Sequence, residues 1–99
     1  MHKRRLGENG PMVSTIGFGC WSFSGAYGPT EEAESHQALA AAVDLGIDFL
    51  DTADVYGGGV SERCIASFVR GNPNKFTIAT KGGIRRDKQT NRRYFDNSE

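Results

Sequence analysis

Apolar residues in this chain gather in short runs that break abruptly into glycine or polar residues. Ile47 to Asp51 is one such run, centred on Phe49-Leu50, and it gives way to Thr52-Ala53-Asp54-Val55-Tyr56 and then Gly57-Gly58-Gly59. A buried strand opening into a polar, flexible loop has this signature. Phe76 to Thr80 repeats it and ends at Lys81-Gly82-Gly83. Gly17 to Trp21 is a third candidate strand, with glycines where something must come close to the backbone. Between these runs the spacing is helical. Thr30 is placed to cap a helix with Glu31, Glu32 and Glu34 in its first turns, where the dipole favours anions. Ala38, Ala41, Ala42 and Leu45 would form its apolar face, and Gly46 its left-handed end. Ser61 is placed to cap a second helix, with Ile65, Phe68 and Val69 on one face and Gly71 closing it. Strand, helix, strand, helix, strand with short connections predicts a parallel α/β architecture.

The two ends read differently. Arg4 to Leu6 and Met12 to Ile16 flank a stretch containing Asn9-Gly10, a strong turn signal, and predict a β-hairpin. Ser22 to Pro29 reads as a loop. So does the segment from Arg85 to Glu99, which carries five basic and three acidic residues and shows no periodicity. Asn97-Ser98-Glu99 resembles the cap and acidic first turn of another helix.

Composition narrows the class. The 99 residues are enough for one domain with a modest core. Twelve basic residues balance twelve acidic ones, so no overall field recruits nucleic acid or a membrane. The basic start, Met1 to Arg5, is not followed by the apolar run of a secretory signal, and no segment is long enough to span a bilayer. Cys20 and Cys64 lack metal-ligand spacing, so reduced thiols in a cytoplasmic protein and no metal site are expected.

The chemistry concentrates where the strands end. If the runs ending at Asp51 and Lys81 lie side by side and parallel, their last residues meet at one edge, with Tyr56 close by. A free phenol is a poor acid at neutral pH, with a pKa of about 10. A neighbouring ammonium favours its phenolate, and a carboxylate holds that ammonium in place. Asp51, Tyr56 and Lys81 therefore suit proton donation to a carbonyl oxygen, or the reverse in alcohol oxidation. None of the three carries hydride, so a cofactor is required. Spacing alone leaves other readings open: strand-end aspartates also cap loops, tyrosines half-bury their rings, and lysines face water. Trp21 reads as core or pocket wall and Cys64 as a small buried hydrophobe. His2 near the terminus and His36 on a glutamate-bearing helix are poor catalytic candidates. Gly57-Gly58-Gly59 matches no phosphate-binding pattern, and Arg85-Arg86 and Arg92-Arg93 read as part of a solvated loop.

Several of these blocks together resemble the aldo-keto reductases. The matching residues are Leu6-Gly7, Val13-Ser14-Thr15-Ile16-Gly17-Phe18-Gly19-Cys20-Trp21, Gly46 to Gly57, Ser61-Glu62 and Thr80-Lys81, in order and in register. The resemblance implies the N-terminal portion of a TIM (β/α)8 barrel, a hairpin plus about three strand–helix units. The hairpin would occupy residues 3–16 and close the bottom of the barrel; strands and helices would fill 17–81, and a loop 82–99. Chemistry in such barrels lies at the C-terminal strand ends. By this resemblance the protein would reduce aldehydes or ketones with NADPH. Tyr56 would be the general acid, Lys81 would tune it, and Asp51 would pair with Lys81. Cys20, Trp21 and Asp51 would lie near the nicotinamide end of NADP(H), and Trp21 and Tyr56 would line the substrate pocket. The loop from Gly82 to Asn97 would overhang that pocket and influence substrate choice.

The chain departs from the family pattern in places. Cys20 stands where threonine is common, and Ile65-Ala66 replaces a usual leucine-glycine pair. The family's catalytic histidine ends the fourth strand, and neither it nor the phosphate-gripping segments lie within these residues. The expectation is therefore the first part of a longer barrel. Two alternatives stand beside the enzyme: a cofactor-binding regulatory subunit, as some family members are of potassium channels, or an inactive truncated product.

Overall fold

The computed structural model describes residues 1–25, 28 and 30–98. Its centre is a parallel sheet of three strands, β3 (Phe18–Gly19), β4 (Phe49–Asp51) and β5 (Thr77–Ala79), in that order. Phe18 pairs with Leu50 and Leu50 with Ile78, so these three share one face of the pleat. Helices α1 (Glu32–Asp44) and α2 (Val60–Gly71) supply the crossovers between the strands. The α/β expectation and the strand order hold.

Leu50 is 0 % exposed and packs with Cys20, Phe23, Leu39, Cys64, Ile65 and Phe68. Phe18, Val43, Val69 and Phe76 lie against that cluster. Leu50, Phe18 and Ile78 thus belong to the face turned toward the helices. Ile78, on the edge strand, is 42 % exposed beside a shallow apolar groove lined by Ile65, Ala66 and Val69. The opposite face carries Phe49, Asp51, Thr77 and Ala79, by the same alternation.

The first helix departs from expectation at both ends. Glu31, not Thr30, is the N-cap, and the Thr30 hydroxyl donates to the Phe23 carbonyl at 3.4 Å. Its buried stripe is Ser35, Leu39 and Ala42, whereas Ala41 and Leu45 face outward. That stripe follows the four- and three-residue steps of a helix starting at Glu32, and Leu45 falls at the C-cap. The stop is as expected. Gly46 adopts φ +81°, its N–H donates to Val43 O, and Ile47 N–H donates to Ala42 O. These paired bonds satisfy two of the last carbonyls, and only glycine takes that backbone without strain.

Helix α2 also begins differently. Gly59, at φ +100°, is its N-cap, and Ser61 lies inside the first turn with its side chain buried. The expected face of Ile65, Phe68 and Val69 does turn inward, together with Cys64. After β3 the chain enters a 3-10 turn at Trp21–Ser24 where a strand end and loop were expected. The rest of that expected loop falls partly on residues 26, 27 and 29, which lie outside the described residues.

Two hairpins flank the sheet. Strands β1 (Lys3–Arg5) and β2 (Met12–Ser14) pair antiparallel as expected, but not through a tight Asn9-Gly10 turn. The left-handed residue is Gly7, at φ +66°, and Leu6 N–H closes a wider loop onto Pro11 O at 2.9 Å. The segment expected as a loop after residue 82 forms a second hairpin, β6 (Ile84–Arg86) with β7 (Arg93–Phe95). Asp87 Oδ1 accepts the N–H groups of Gln89 and Thr90, and Asn91 takes φ +59°. This turn chemistry sits among charges, which is why no apolar period announces the strands. At residues 97 and 98 no helix starts; Asp96 instead accepts both the N–H and hydroxyl of Ser98. Glu99 lies outside the described residues.

The first hairpin is fastened at the N-terminal end of β4. Asp48 Oδ2 accepts Lys3 Nζ at 2.5 Å, and Asp48 Oδ1 accepts the Ser14 N–H at 2.7 Å. Partial burial pushes the Asp48 carboxyl up, but the bonds from Lys3 and Ser14 outweigh it and hold the group below its ordinary value. A carboxyl lowered in the folded state stabilises above its unfolded pKa, and the contribution fades as pH falls through the folded value. In a complete barrel that contains these residues, the protection of β1 and β2 amides relative to their intrinsic exchange rates should therefore fall selectively below about pH 4, and Asp48→Asn should remove that pH dependence. An unchanged acid profile in the variant would place the tie elsewhere.

These residues alone leave β3 and β5 with open edges and Ile78 bare. An unpaired edge and an unburied side chain, which forgoes roughly 1.5–3 kcal/mol, weigh heavily against a net stability of about 5–15 kcal/mol. The isolated 99-residue chain should melt broadly or aggregate, with no saturable NADPH binding by fluorescence titration. A sharp, cooperative transition with micromolar binding would show a self-sufficient small domain.

Candidate active site at the C-terminal strand ends

Parallel pairing continues past the regular strands and brings three chain segments together. Cys20 N–H donates to Asp51 O at 2.9 Å, Thr52 N–H to Ala79 O at 2.9 Å, and Asp54 N–H to Lys81 O at 3.1 Å. Asp51 and Lys81 thereby arrive at one edge, as their positions in the sequence predicted. Lys81 Nζ donates to Asp51 Oδ1 at 2.7 Å and to the Thr52 carbonyl at 2.8 Å. Both side chains of the ion pair are 49 % exposed, so water screens their attraction. The hydrogen bond to Asp51 raises the Lys81 pKa above its ordinary value; slight burial opposes this, and the charges of Asp51 and Tyr56 add to it. The ammonium therefore persists throughout the neutral range.

Tyr56 opens a 3-10 turn, Tyr56–Gly59, in which Gly57 and Gly58 both take φ +63°. A Cβ on Gly57 would lie 3.1 Å from Ser24 Cα, so this turn can approach the Trp21–Ser24 turn only as glycine. The approach sets the Tyr56 ring 6.4 Å from that of Trp21, tilted by 41°. Lys81 Nζ lies 5.4 Å from the centre of the same phenol ring. Asp51, Tyr56, Lys81 and Trp21 are thus one cluster, half open to solvent.

Cys20 belongs to this edge by its backbone but not by its side chain. It is 0 % exposed, sits in the core cluster, and points its thiol toward Phe18 O at 3.6 Å. Burial, with the Asp51 charge behind it, pushes that thiol up to about 12, so it stays protonated. Cys64 is buried as expected, and burial likewise raises its pKa. His36 Nε2 lies 3.1 Å from Cys64 O, and the ring stacks edge-on to Phe68 at 5.5 Å, away from the strand ends. Among the described residues no group of histidine, cysteine or carboxylates could hold a metal ion. Nor is any helix among them long and apolar enough to cross a membrane.

Sequence reasoning gave one contributor only as an overhanging loop, through the family resemblance, and missed a second. A cleft of about 510 Å³ opens over Tyr56, lined by Trp21, Val55, Ile84, Arg85, Arg86 and Arg93. Four of these come from the second hairpin, and Arg85 is anchored there by Asp54 at 3.2 Å. The available signal was the pair of three-residue segments either side of the Asp87–Asn91 turn. The other is Ser61, whose hydroxyl is 2.8 Å from that of Thr52 and donates to Cys20 O at 3.0 Å. It links α2 to the first two strand ends from beneath.

The profile of the Aldo/keto reductase family matches residues 15–98. An NADP(+) aldo-keto reductase of Schizosaccharomyces pombe, yakc, is 36 % identical over 89 residues, covering 88 % of this chain and 26 % of that protein. Among solved structures, an aldo-keto reductase of Bacillus halodurans in its holo form superimposes with a TM-score of 0.81 at 33 % identity. That match covers 97 % of this chain and 30 % of the other. An aldo-keto reductase of Klebsiella pneumoniae solved with NADPH matches at a TM-score of 0.65 and 28 % identity, over 83 % of this chain and 28 % of that one. These structures are TIM barrels, so the α/β unit seen here is the N-terminal part of that architecture. The chain spans between a quarter and a third of its relatives' length.

Ser61→Ala would leave the Thr52 hydroxyl short of a partner in a site with no access to water, and the Cys20 carbonyl with only the Phe23 N–H. In a complete barrel that contains these residues, a loss of about 1–3 kcal/mol is expected from urea unfolding. A neutral result would mean that water or a shifted backbone replaces the serine.

Proposed function

The chain belongs to the aldo/keto reductase family, and from that premise we propose that its residues form the proton-donating half of an NADPH-dependent carbonyl reductase. The observation that carries this reading is the Asp51–Lys81–Tyr56 arrangement, with a fixed ammonium 5.4 Å from the phenol ring at the mouth of an open cleft. NADP(H) fits the residues present. Trp21 offers a half-exposed aromatic face, Asp51 an accessible carboxylate acceptor, and Gly19 has no atom within 4 Å of where a Cβ would stand. Trp21 and Asp51 would face the nicotinamide end, while fully buried Cys20 would support them from below. When bound, the reduced cofactor supplies a hydride to the carbonyl carbon.

The chain's own residues handle the proton. Tyr56 donates from its hydroxyl to the carbonyl oxygen as negative charge develops there. Lys81, charged and held by Asp51 and the Thr52 carbonyl, stabilises the phenolate that this leaves. Asp51 keeps the ammonium from swinging into solvent. Trp21 and Tyr56 form the wall against which a substrate rests, and the second hairpin covers the cleft above them. A cytoplasmic location and small carbonyl compounds as substrates accord with this chemistry.

In a complete barrel that contains these residues, Tyr56→Phe should lower kcat by about 10²–10⁴-fold, the usual worth of a positioned acid, and leave NADPH affinity nearly unchanged. A phenylalanine variant with full kcat would remove Tyr56 from the chemistry. Lys81→Met should depress kcat and displace the alkaline limb of the pH–rate profile to higher pH. A lower plateau without displacement would instead make Lys81 structural.

A further inference from the structure

The cleft over Tyr56 has an uneven lining. Part of it is apolar and aromatic, from Trp21, Val55, Tyr56 and Ile84, and the rest is Arg85, Arg86 and Arg93. The whole chain is neutral, with twelve charges of each sign, so this is a local concentration of positive charge. Nearby acids cancel only the charge of Arg85. Asp51 is taken by Lys81 and Asp54 by Arg85. Asp87 is turned into its own turn by the N–H groups of Gln89 and Thr90, and Asp96 onto Ser98. Among the described residues, no carboxylate stands within ion-pair distance of Arg86 or Arg93.

These two arginines are direct cross-strand partners in the β6–β7 register. Like charges facing each other across an antiparallel pair destabilise the hairpin. Arg86 does donate to the Asn91 carbonyl at 2.9 Å, which fixes its side chain but leaves its charge unneutralised. An anion lying between two guanidinium groups relieves this repulsion and gains charge-assisted hydrogen bonds. Low-dielectric apolar lining strengthens the attraction by focusing the field in the cleft.

We propose that the hairpin selects carbonyl substrates bearing a carboxylate, with the aldehyde at Tyr56 and the anion between Arg86 and Arg93. This rests on the reductase reading and adds the substrate class to it. The uncharged part of such a substrate lies along Trp21 and Ile84.

The test uses a complete barrel that contains these residues and compares 4-carboxybenzaldehyde with 4-methylbenzaldehyde. The carboxylated aldehyde should be preferred in kcat/KM by about tenfold or more, the scale of a hydrogen bond to a charged group. Added salt should raise KM for that substrate selectively. In Arg86→Gln/Arg93→Gln the preference should collapse, and in Arg86→Lys/Arg93→Lys most of it should remain. Reduction of both aldehydes at equal kcat/KM would sink the proposal and leave the reductase reading intact. If neither aldehyde turns over, titration with benzoate decides the matter: binding lost in the glutamine variant supports the anion site, and no binding overturns it. If the glutamine variant weakens NADPH and leaves the preference unchanged, the arginines serve the cofactor's phosphates and the proposal falls.

Discussion

Everything at the candidate site hangs on the parallel register of β3, β4 and β5. Gly19 lies opposite Asp51, and Asp51 opposite Ala79. Because parallel strands run the same way, all three release their chains at the same edge. The backbone bonds that continue past the strands, from Cys20 to Asp51 and from Asp54 to Lys81, carry that alignment into the loops. A two-residue slip of β5 would move Lys81 by about 6.6 Å, the length of two strand residues. Its contacts with Asp51 and the Thr52 carbonyl would be lost together. Leu50, buried among Leu39, Ile65 and Phe68, fixes which face β4 turns to the helices and so opposes a one-residue slip of that strand.

β4 is tied at both ends by an aspartate, and the two ties do opposite work. Asp48 receives Lys3 and Ser14 and fastens the first hairpin to the N-terminal end. Asp51 receives Lys81 at the C-terminal end. The first contact is architectural and leaves no group poised for chemistry. The second leaves a charged ammonium beside a phenol and an open cleft. Placing stability at one end and chemistry at the other is the division that parallel barrels use, because loops at the C-terminal ends vary without disturbing the sheet.

The small polar and glycine residues between β4 and α2 serve that division. Gly57 allows the loop to approach Ser24 closely, which sets Tyr56 beside Trp21. Two residues into α2, Ser61 bonds to the Thr52 hydroxyl and the Cys20 carbonyl, so the helix, β4 and β3 share one buried polar contact. Such a contact at a strand end resists sliding of one layer over another, because breaking it leaves polar atoms without water.

The sequence by itself determined what depends on local pattern and on strong backbone signals. The strand-and-helix alternation, the left-handed stop at Gly46 and the inward face of Ile65, Phe68 and Val69 are readable because burial and glycine chemistry act over a few residues. The grouping of Asp51, Tyr56 and Lys81 was readable too, once parallel strands were assumed. Tertiary structure alone decided the rest. Ser61 has the makings of a helix cap, yet its hydroxyl bonds across to Thr52 because α2 begins at Val60 and turns it inward. Thr30 loses the capping role to Glu31, and Leu45 is left 66 % exposed at a helix end. Cys20 adjoins the site in sequence, but its thiol turns into the core. The β6–β7 hairpin hides among charges, since its strands bury little and are held by turn bonds and cross-strand pairing rather than by an apolar period. Which arginines reach the cleft follows from that pairing, and pairing between distant segments is a property of the folded chain, not of any window of its sequence.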